Sequence, residues 1–200
     1  MPDPVIVIDP GHGGRHPGAK GCGLVEKDVV LDVARLLAVE MKRLGLTPVL
    51  TREADVTLSL THRIAVAAEH KALAFVSLHC NAVASAEPRG YEWFIADPAE
   101  QRLNSKEQHV LAAYLDGAVS VVMSDYWSMR RRGIKSDKRS GPGSLTVLRN
   151  NFVPATLFEI GFLSSPDDAA VLAMQEFRLD LAASLAHGLD KYCLDTLELS

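Results

Sequence analysis

Cysteine is scarce in this 200-residue chain: Cys22, Cys80 and Cys193 are an odd number with no paired spacing. A disulfide framework is therefore not expected, and synthesis in a reducing compartment is the simpler reading. Excess charge is also missing. The formal net charge of −4 gives no reason to expect nucleic acid as a partner. No apolar run reaches the roughly 18 residues that a membrane-spanning helix requires. The first apolar run, at Val5, is not preceded by a basic stretch, an apolar segment and a small-residue cleavage site. A secretory leader is thus not expected in this chain; export would need another route, or a leader has been removed. Repeats, low-complexity tracts and linkers are absent. What is present is ordinary for a globular protein, with 48% hydrophobic and 23% charged residues, and the length suits one domain with a sizeable core.

Val5-Ile-Val-Ile8 is a short β-branched run that suits a strand buried on both faces. It stops at Asp9-Pro10-Gly11, where a Gly-rich loop begins that lasts to about Gly23. Apolar residues at Val29, Val30, Val33, Leu36, Leu37, Met41 and Leu44 have helical spacing, and Gly45 stands where a C-terminal cap belongs. Thr47 to Leu50 reads as a second strand, and Ser59 caps a helix running to about His70. Further strands are expected at Ala74–Leu78, Gly90–Ile95, Leu145–Leu148 and Ala155–Ile160. Helices are expected from about Glu100 to Met123, from Pro166, and from Gln175 to Tyr192, with a basic loop from Arg130 to Ser144. Strands alternating with helical stretches predict a single α/β domain over residues 1–200, core about 5–192, with helices on both faces of a mixed sheet.

Several polar residues sit where a buried strand has just ended. His12 follows Ile8 by four residues, His79 ends the Phe75–Leu78 run, and Glu159 lies near the end of Ala155–Ile160. In an open α/β sheet the ligand crevice lies beyond the carboxyl ends of the strands, so these residues converge on one edge. Glu26 joins them if the Gly-rich loop folds back, since it opens the first helix, where a carboxylate also suits the helix dipole. Each residue alone has a plainer explanation as a loop or helix-start residue; their joint placement carries the argument. Two histidines and a carboxylate, with a fourth position open, is a recurring catalytic zinc set. Zinc so held lowers the pKa of water and polarises a carbonyl. A further carboxylate must then move the proton. Glu159 is the candidate, because an ionisable group on a buried strand is costly otherwise. A phosphate-cradling reading of Gly11-His12-Gly13-Gly14 fails for want of a following Gly-Lys-Ser/Thr. The residues alone reach a metal-dependent hydrolase of an amide-like bond.

Ile-Asp-Pro-Gly-His-Gly-Gly (residues 8–14), Glu26-Lys27-Asp28, Ser77-Leu-His-Cys-Asn-Ala82 and Glu159-Ile-Gly-Phe-Leu-Ser164 resemble, in order, the motifs of the zinc-dependent N-acetylmuramoyl-L-alanine amidases of the type-3 family. Leu58–Arg63, Gly90–Phe94, Arg132–Lys135 and Leu145–Arg149 fit the same pattern. The resemblance runs from about Val5 to Tyr192. It implies a six-stranded mixed, mostly parallel sheet, one Zn2+ per chain on His12, Glu26 and His79, and Glu159 as the catalytic glutamate. It further implies hydrolysis of the amide between N-acetylmuramic acid and L-alanine in bacterial peptidoglycan. The enzyme would then be made in the cytoplasm and act on the cell wall, as a phage endolysin does, with no separate wall-binding domain and as a monomer. Cys80 departs from the family pattern and should point to the opposite face from His79. The compact connection from Gly90 to Arg132 implies an uncovered site.

Asn81, His16, Lys135 and Arg149 are the candidates for substrate contact. The basic segment Arg130–Arg139 is either a solvated surface or meets carboxylates of the stem peptide, and Tyr126 and Trp127 either stack on sugar or anchor that segment. Cys22 is read as a small loop residue in preference to a fourth metal ligand. His62, His70, His109 and His187 fall on helices as surface or packing residues. Two other functions compete: a zinc peptidase or carboxypeptidase acting on stem peptides, and a wall-binding module on an inactivated scaffold. The second expects a lost ligand or a lost glutamate, and all four positions are intact.

Overall fold

The computed structural model describes residues 3–99 and 104–198. The central sheet has six strands in the order β4-β1-β5-β8-β6-β7, formed by β1 (Val5–Pro10), β4 (Thr47–Leu50), β5 (Ala74–Asn81), β6 (Tyr91–Ile95), β7 (Arg131–Ser136) and β8 (Ala155–Phe162). A hairpin of β2 (Lys20–Gly21) and β3 (Leu24–Val25) interrupts the Gly-rich loop. Within the central sheet, among the described residues, only the β6–β8 pairing is antiparallel. Helices cover both faces, which gives the expected mixed, mostly parallel α/β architecture.

Strand periodicity decides which side chain meets which helix layer, because successive side chains point to opposite faces. Ile6 and Ile8, Val76 and Leu78, and Phe158 and Ile160 enter the larger core. There they meet α1 (Glu26–Arg43), α3 (Ser105–Ser124) and α6 (Gln175–Glu198), with α5 (Pro166–Ala173) alongside. Val7, Phe75, Leu157 and Phe94 enter the smaller one, under α2 (Leu60–Glu69) and α4 (Thr146–Arg149). Fully burying each such side chain is worth about 1.5–3 kcal/mol, so the alternation fixes the register. It also puts Asp9, Ser77, His79, Glu159 and Glu92 on the face of the smaller core. Cys80 goes to the larger core, as its place next to His79 requires.

Several local expectations hold. Glu26 is the first residue of α1, and the Ser59 side chain accepts the N–H of His62 to cap α2. Pro166 is the first residue of α5, whose N-cap Ser165 accepts from Asp168 N.

Others are corrected. Leu145–Leu148 is not a strand. Thr146–Arg149 forms one helical turn that buries Val147 and Leu148, while Asn151 Nδ2 donates to the Val147 carbonyl at 3.1 Å. A four-residue run with three apolar residues is compatible with either state, and packing decides. The sixth strand comes instead from the basic segment read as a loop. Arg131–Ser136 pairs only with β6, and a charged, Gly-interrupted strand is what a sheet edge tolerates. The chain strand at Ala74 runs through His79 to Asn81, with a register shift after His79, so His79 is inside it. The last helix continues past Tyr192 to Glu198. The expected helix start at 100 lies outside the described residues; α3 begins at Ser105.

Chain order explains where a site can form. From β1 the chain crosses through α1 to β4 on one side, then through α2 to β5 on the other. The strand order therefore reverses between β1 and β5, and a crevice opens at their carboxyl ends. Among the described residues no helix is long and apolar enough to cross a membrane.

Candidate active site

The crevice contains the residues expected there. One nitrogen of His12, one of His79 and a carboxylate oxygen of Glu26 lie within 4.8 Å of one another. Glu26 Oε1 is 3.2 Å from His12 Nε2 and 2.8 Å from His79 Nδ1. Its other oxygen accepts the backbone N–H of Ala19 at 2.6 Å, and Cys80 N donates to Oε1 at 3.1 Å. The carboxylate is thus oriented by the backbone on one side and presents a single oxygen to both imidazoles. Burial alone would raise the Glu26 carboxyl, but the hydrogen bonds to His12 and His79 outweigh it and hold it well below the usual carboxylate range. A buried anion that faces two imidazole nitrogens, all converging on one point, is the donor chemistry of a zinc site. With all three donor atoms within 4.8 Å of one another, His12, Glu26 and His79 could hold one such ion between them. The residues fit the metal.

Backbone geometry brings them this close. His12 has φ 59°, a left-handed conformation uncommon for a residue with a side chain. Two glycines leave room. A Cβ on Gly11 would lie 2.4 Å from the His79 ring, and one on Gly18, which has φ 71°, would lie 2.3 Å from Glu26 Oε2. The ring could yield to a methyl only by leaving its ligand position. Gly11→Ala should accordingly weaken zinc binding at least tenfold in a competition titration with a chromophoric chelator, while thermal stability of the metal-free protein falls far less. An unchanged affinity would show that the close approach is incidental.

Two buried arginines hold the loop, and sequence reasoning assigned them no role. Arg63 donates to Asp9 Oδ1 at 2.6 Å, to the Pro10 carbonyl at 2.8 Å and to the His12 carbonyl at 2.5 Å. Arg52 donates to the carbonyls of Pro10, Gly11 and Lys27 at 2.9, 2.8 and 2.9 Å. Asp9 also accepts from Thr51 and Ser77 hydroxyls at 2.6 and 2.7 Å. Arg63 does fall inside the Leu58–Arg63 signature, but nothing in a linear reading says that its guanidinium reaches back more than fifty residues.

Glu159 is the direct β5–β8 partner of His79, one strand spacing away, or about 4.8 Å. Its Oε2 is buried and has no hydrogen-bond partner. Burial first, then the nearby Glu26 and Glu92 carboxylates, push its carboxyl well above the ordinary range. A carboxyl in that state is equipped to exchange a proton. Leu157, two residues earlier on the same face, lines a cleft of about 480 Å³ together with Gly11, His12, His16 and His79. The opposite wall comes from Ser59, Pro142 and Leu145. Helix α3 packs on the other face of the sheet, in the larger core.

The secondary candidates divide. His16 lines the cleft and bridges Gly13 through its backbone. Asn81 Nδ2 donates to Glu92 Oε1 at 2.8 Å, and Lys135 Nζ donates to Glu92 Oε2. Arg149 is paired with buried Asp137, Nε to Oδ2 at 2.5 Å. Cys22 is exposed at the β2–β3 turn with φ 46° and takes no part in the cluster. Trp127 is exposed and stacks on Arg89, whose guanidinium carbon lies 4.8 Å from the ring centroid.

Against known proteins, a family model described as N-acetylmuramoyl-L-alanine amidase matches residues 6–191. The N-acetylmuramoyl-L-alanine amidase LytC of Bacillus subtilis is 34% identical over 91% of this chain, which spans 34% of the relative's length. The endolysin of Bacillus phage SPP1 is 32% identical over 92% of this chain and 64% of its own. Among solved structures, the N-acetylmuramoyl-L-alanine amidase AmiC2 of Nostoc punctiforme superposes with a TM-score of 0.82 at 31% identity, covering 96% of this chain and 97% of that one. The chain thus spans less than two thirds of the length of these two curated relatives and nearly all of the solved domain.

Proposed function

Since this chain belongs to the N-acetylmuramoyl-L-alanine amidase family, we propose that it hydrolyses the amide between N-acetylmuramic acid and L-alanine in peptidoglycan, with one zinc held by His12, Glu26 and His79. The observation that carries the reading is the buried, partnerless Oε2 of Glu159 one strand away from the three converging donors. Zinc, when bound, supplies Lewis acidity toward a water and the scissile carbonyl. The chain's own residues do the rest. Glu26 is fixed by Ala19 N and Cys80 N, so its charge stays in place. Glu159 takes a proton from the attacking water and returns it to the departing alanine nitrogen, a task suited to a carboxyl held above its usual range. The cleft beside His16 and His79 receives the muropeptide, and His16, Asn81, Lys135 and Arg149 are its proposed contacts.

The test is the incubation of zinc-loaded protein with purified peptidoglycan, followed by mass spectrometry of the released fragments. Free peptides beginning at L-alanine are expected, lost on chelation and restored by added zinc. Peptides cut internally, with L-alanine still on muramic acid, would move the enzyme to the peptidase class and overturn the amidase reading.

A further inference from the structure

The row of polar side chains that holds His79 and Glu159 continues across the sheet. On antiparallel β6 and β8, Glu92 is the direct partner of Glu159. Two carboxylates therefore stand opposite each other on one face, which is unfavourable unless compensating charge is present. Glu92 is itself buried, at 5% exposure. Its Oε1 accepts from Asn81, and its Oε2 accepts from Arg132 Nε at 2.8 Å and from Lys135 Nζ. Burial would raise the Glu92 carboxyl, but the bonds from Lys135 and Arg132 hold it below the usual range.

One cation would suffice to neutralise Glu92. Elsewhere on β7, among the described residues, Arg131 pairs with Asp116. Here two cations, Arg132 and Lys135, share one carboxylate in the same row as Glu159. Among the described residues, Arg132 uses only its Nε in hydrogen bonding, while its guanidinium lies 4.9 Å over the Phe162 ring. The side chains of Arg132 and Lys135 remain 34% and 21% exposed. Both are thus anchored and partly desolvated, and both keep donors directed at solvent. That is how a protein holds a planar anion such as a carboxylate.

We propose that Arg132 and Lys135, held in place by Glu92, form a subsite for a carboxylate on the peptide half of the substrate. The inference rests on the amidase reading and deepens it. Two strand spacings separate β8 from β7, on the order of 10 Å, and Arg132 and Lys135 lean back toward Glu92 across one of them. With 3.8 Å between successive Cα atoms, a carboxylate on the residue after alanine sits on the order of 7 Å from the scissile nitrogen. The dimensions match.

The test compares two probes on zinc-loaded protein: N-acetylmuramoyl-L-alanyl-D-glutamate with a free α-carboxylate, and the same compound with that carboxylate amidated. The free acid is expected to have a KM about tenfold lower with a similar kcat. Arg132→Gln and Lys135→Met should each reduce the ratio to about threefold, since either cation alone still covers Glu92. The triple variant that adds Glu92→Gln, and so leaves no Glu92 carboxylate without its cations, should bring the ratio to about one. Calorimetric affinities for the product dipeptides, free and amidated, provide a readout independent of turnover and should show the same ratios. Equal KM values for the two probes in the wild type, or a ratio kept by the triple variant, would overturn the subsite. Cleavage of neither probe with a preserved dipeptide preference would sink the amidase reading and spare the subsite; no cleavage and no preference would sink both.

Discussion

Glu159→Gln should remove turnover by roughly 10²–10⁴-fold, the range associated with a positioned general acid–base group, and should leave the fold and zinc binding intact. Oε2 of Glu159 makes no hydrogen bond, so glutamine gives up no native contact. It also removes a carboxyl that burial and the neighbouring Glu26 and Glu92 already disfavour as an anion. The melting temperature is therefore expected to stay the same or to rise, a separation of activity from stability that a structural residue would not show. The measurements are initial rates on a soluble muropeptide, the melting temperature, and bound zinc by atomic absorption. A rate within about fivefold of wild type would remove Glu159 from the mechanism. A loss of zinc in parallel with the rate would instead make it a support for the metal site.

Arg63→Met should give the largest loss of stability, about 3–5 kcal/mol, the cost of leaving one partner of a buried ion pair alone. Asp9 is 1% exposed and Arg63 4%, so water cannot replace the lost guanidinium. For a chain of this size that loss corresponds to roughly 10 °C or more in melting temperature. Zinc affinity should fall as well, because the His12 carbonyl loses its 2.5 Å donor and the strained residue it anchors becomes free to relax. Adding Asp9→Asn to Arg63→Met should recover part of the stability, since both charges are then gone, but not the zinc affinity, since the His12 carbonyl remains unheld. A double-mutant cycle by calorimetry and zinc titration reads both quantities. A fall of less than about 3 °C for the single variant would mean that Thr51 and Ser77 suffice to satisfy Asp9.

The polar residues missed at first share a physical reason. Arg52, Arg63 and Glu92 act across 11 to 54 positions of the sequence, and no local periodicity carries such pairings. Glu92 did leave a trace: it is a lone carboxylate within Tyr91-Glu-Trp-Phe94, the same signal that singled out Glu159. Arg131–Ser136 looks like a loop in sequence because an edge strand needs no apolar face. Leu145–Leu148 reads equally well as a strand because four residues, three of them apolar, are too few to declare a period.

Sequence alone determined the alternation that sorts the side chains of β1, β5 and β8 between two cores, the helix start at Glu26 and the motifs that carry His12, His79 and Glu159. These depend on local chemistry: apolar period, caps and turn residues. The tertiary structure alone decided that one Glu26 oxygen faces both His12 and His79, that a pair of buried arginines holds the loop bearing His12, and that Glu92 gathers Asn81, Arg132 and Lys135 opposite Glu159. Those contacts exist only because the strand order reverses between β1 and β5 and because β6 enters antiparallel to β8. Topology of that kind is set by the burial of whole faces, and no single stretch of sequence contains it.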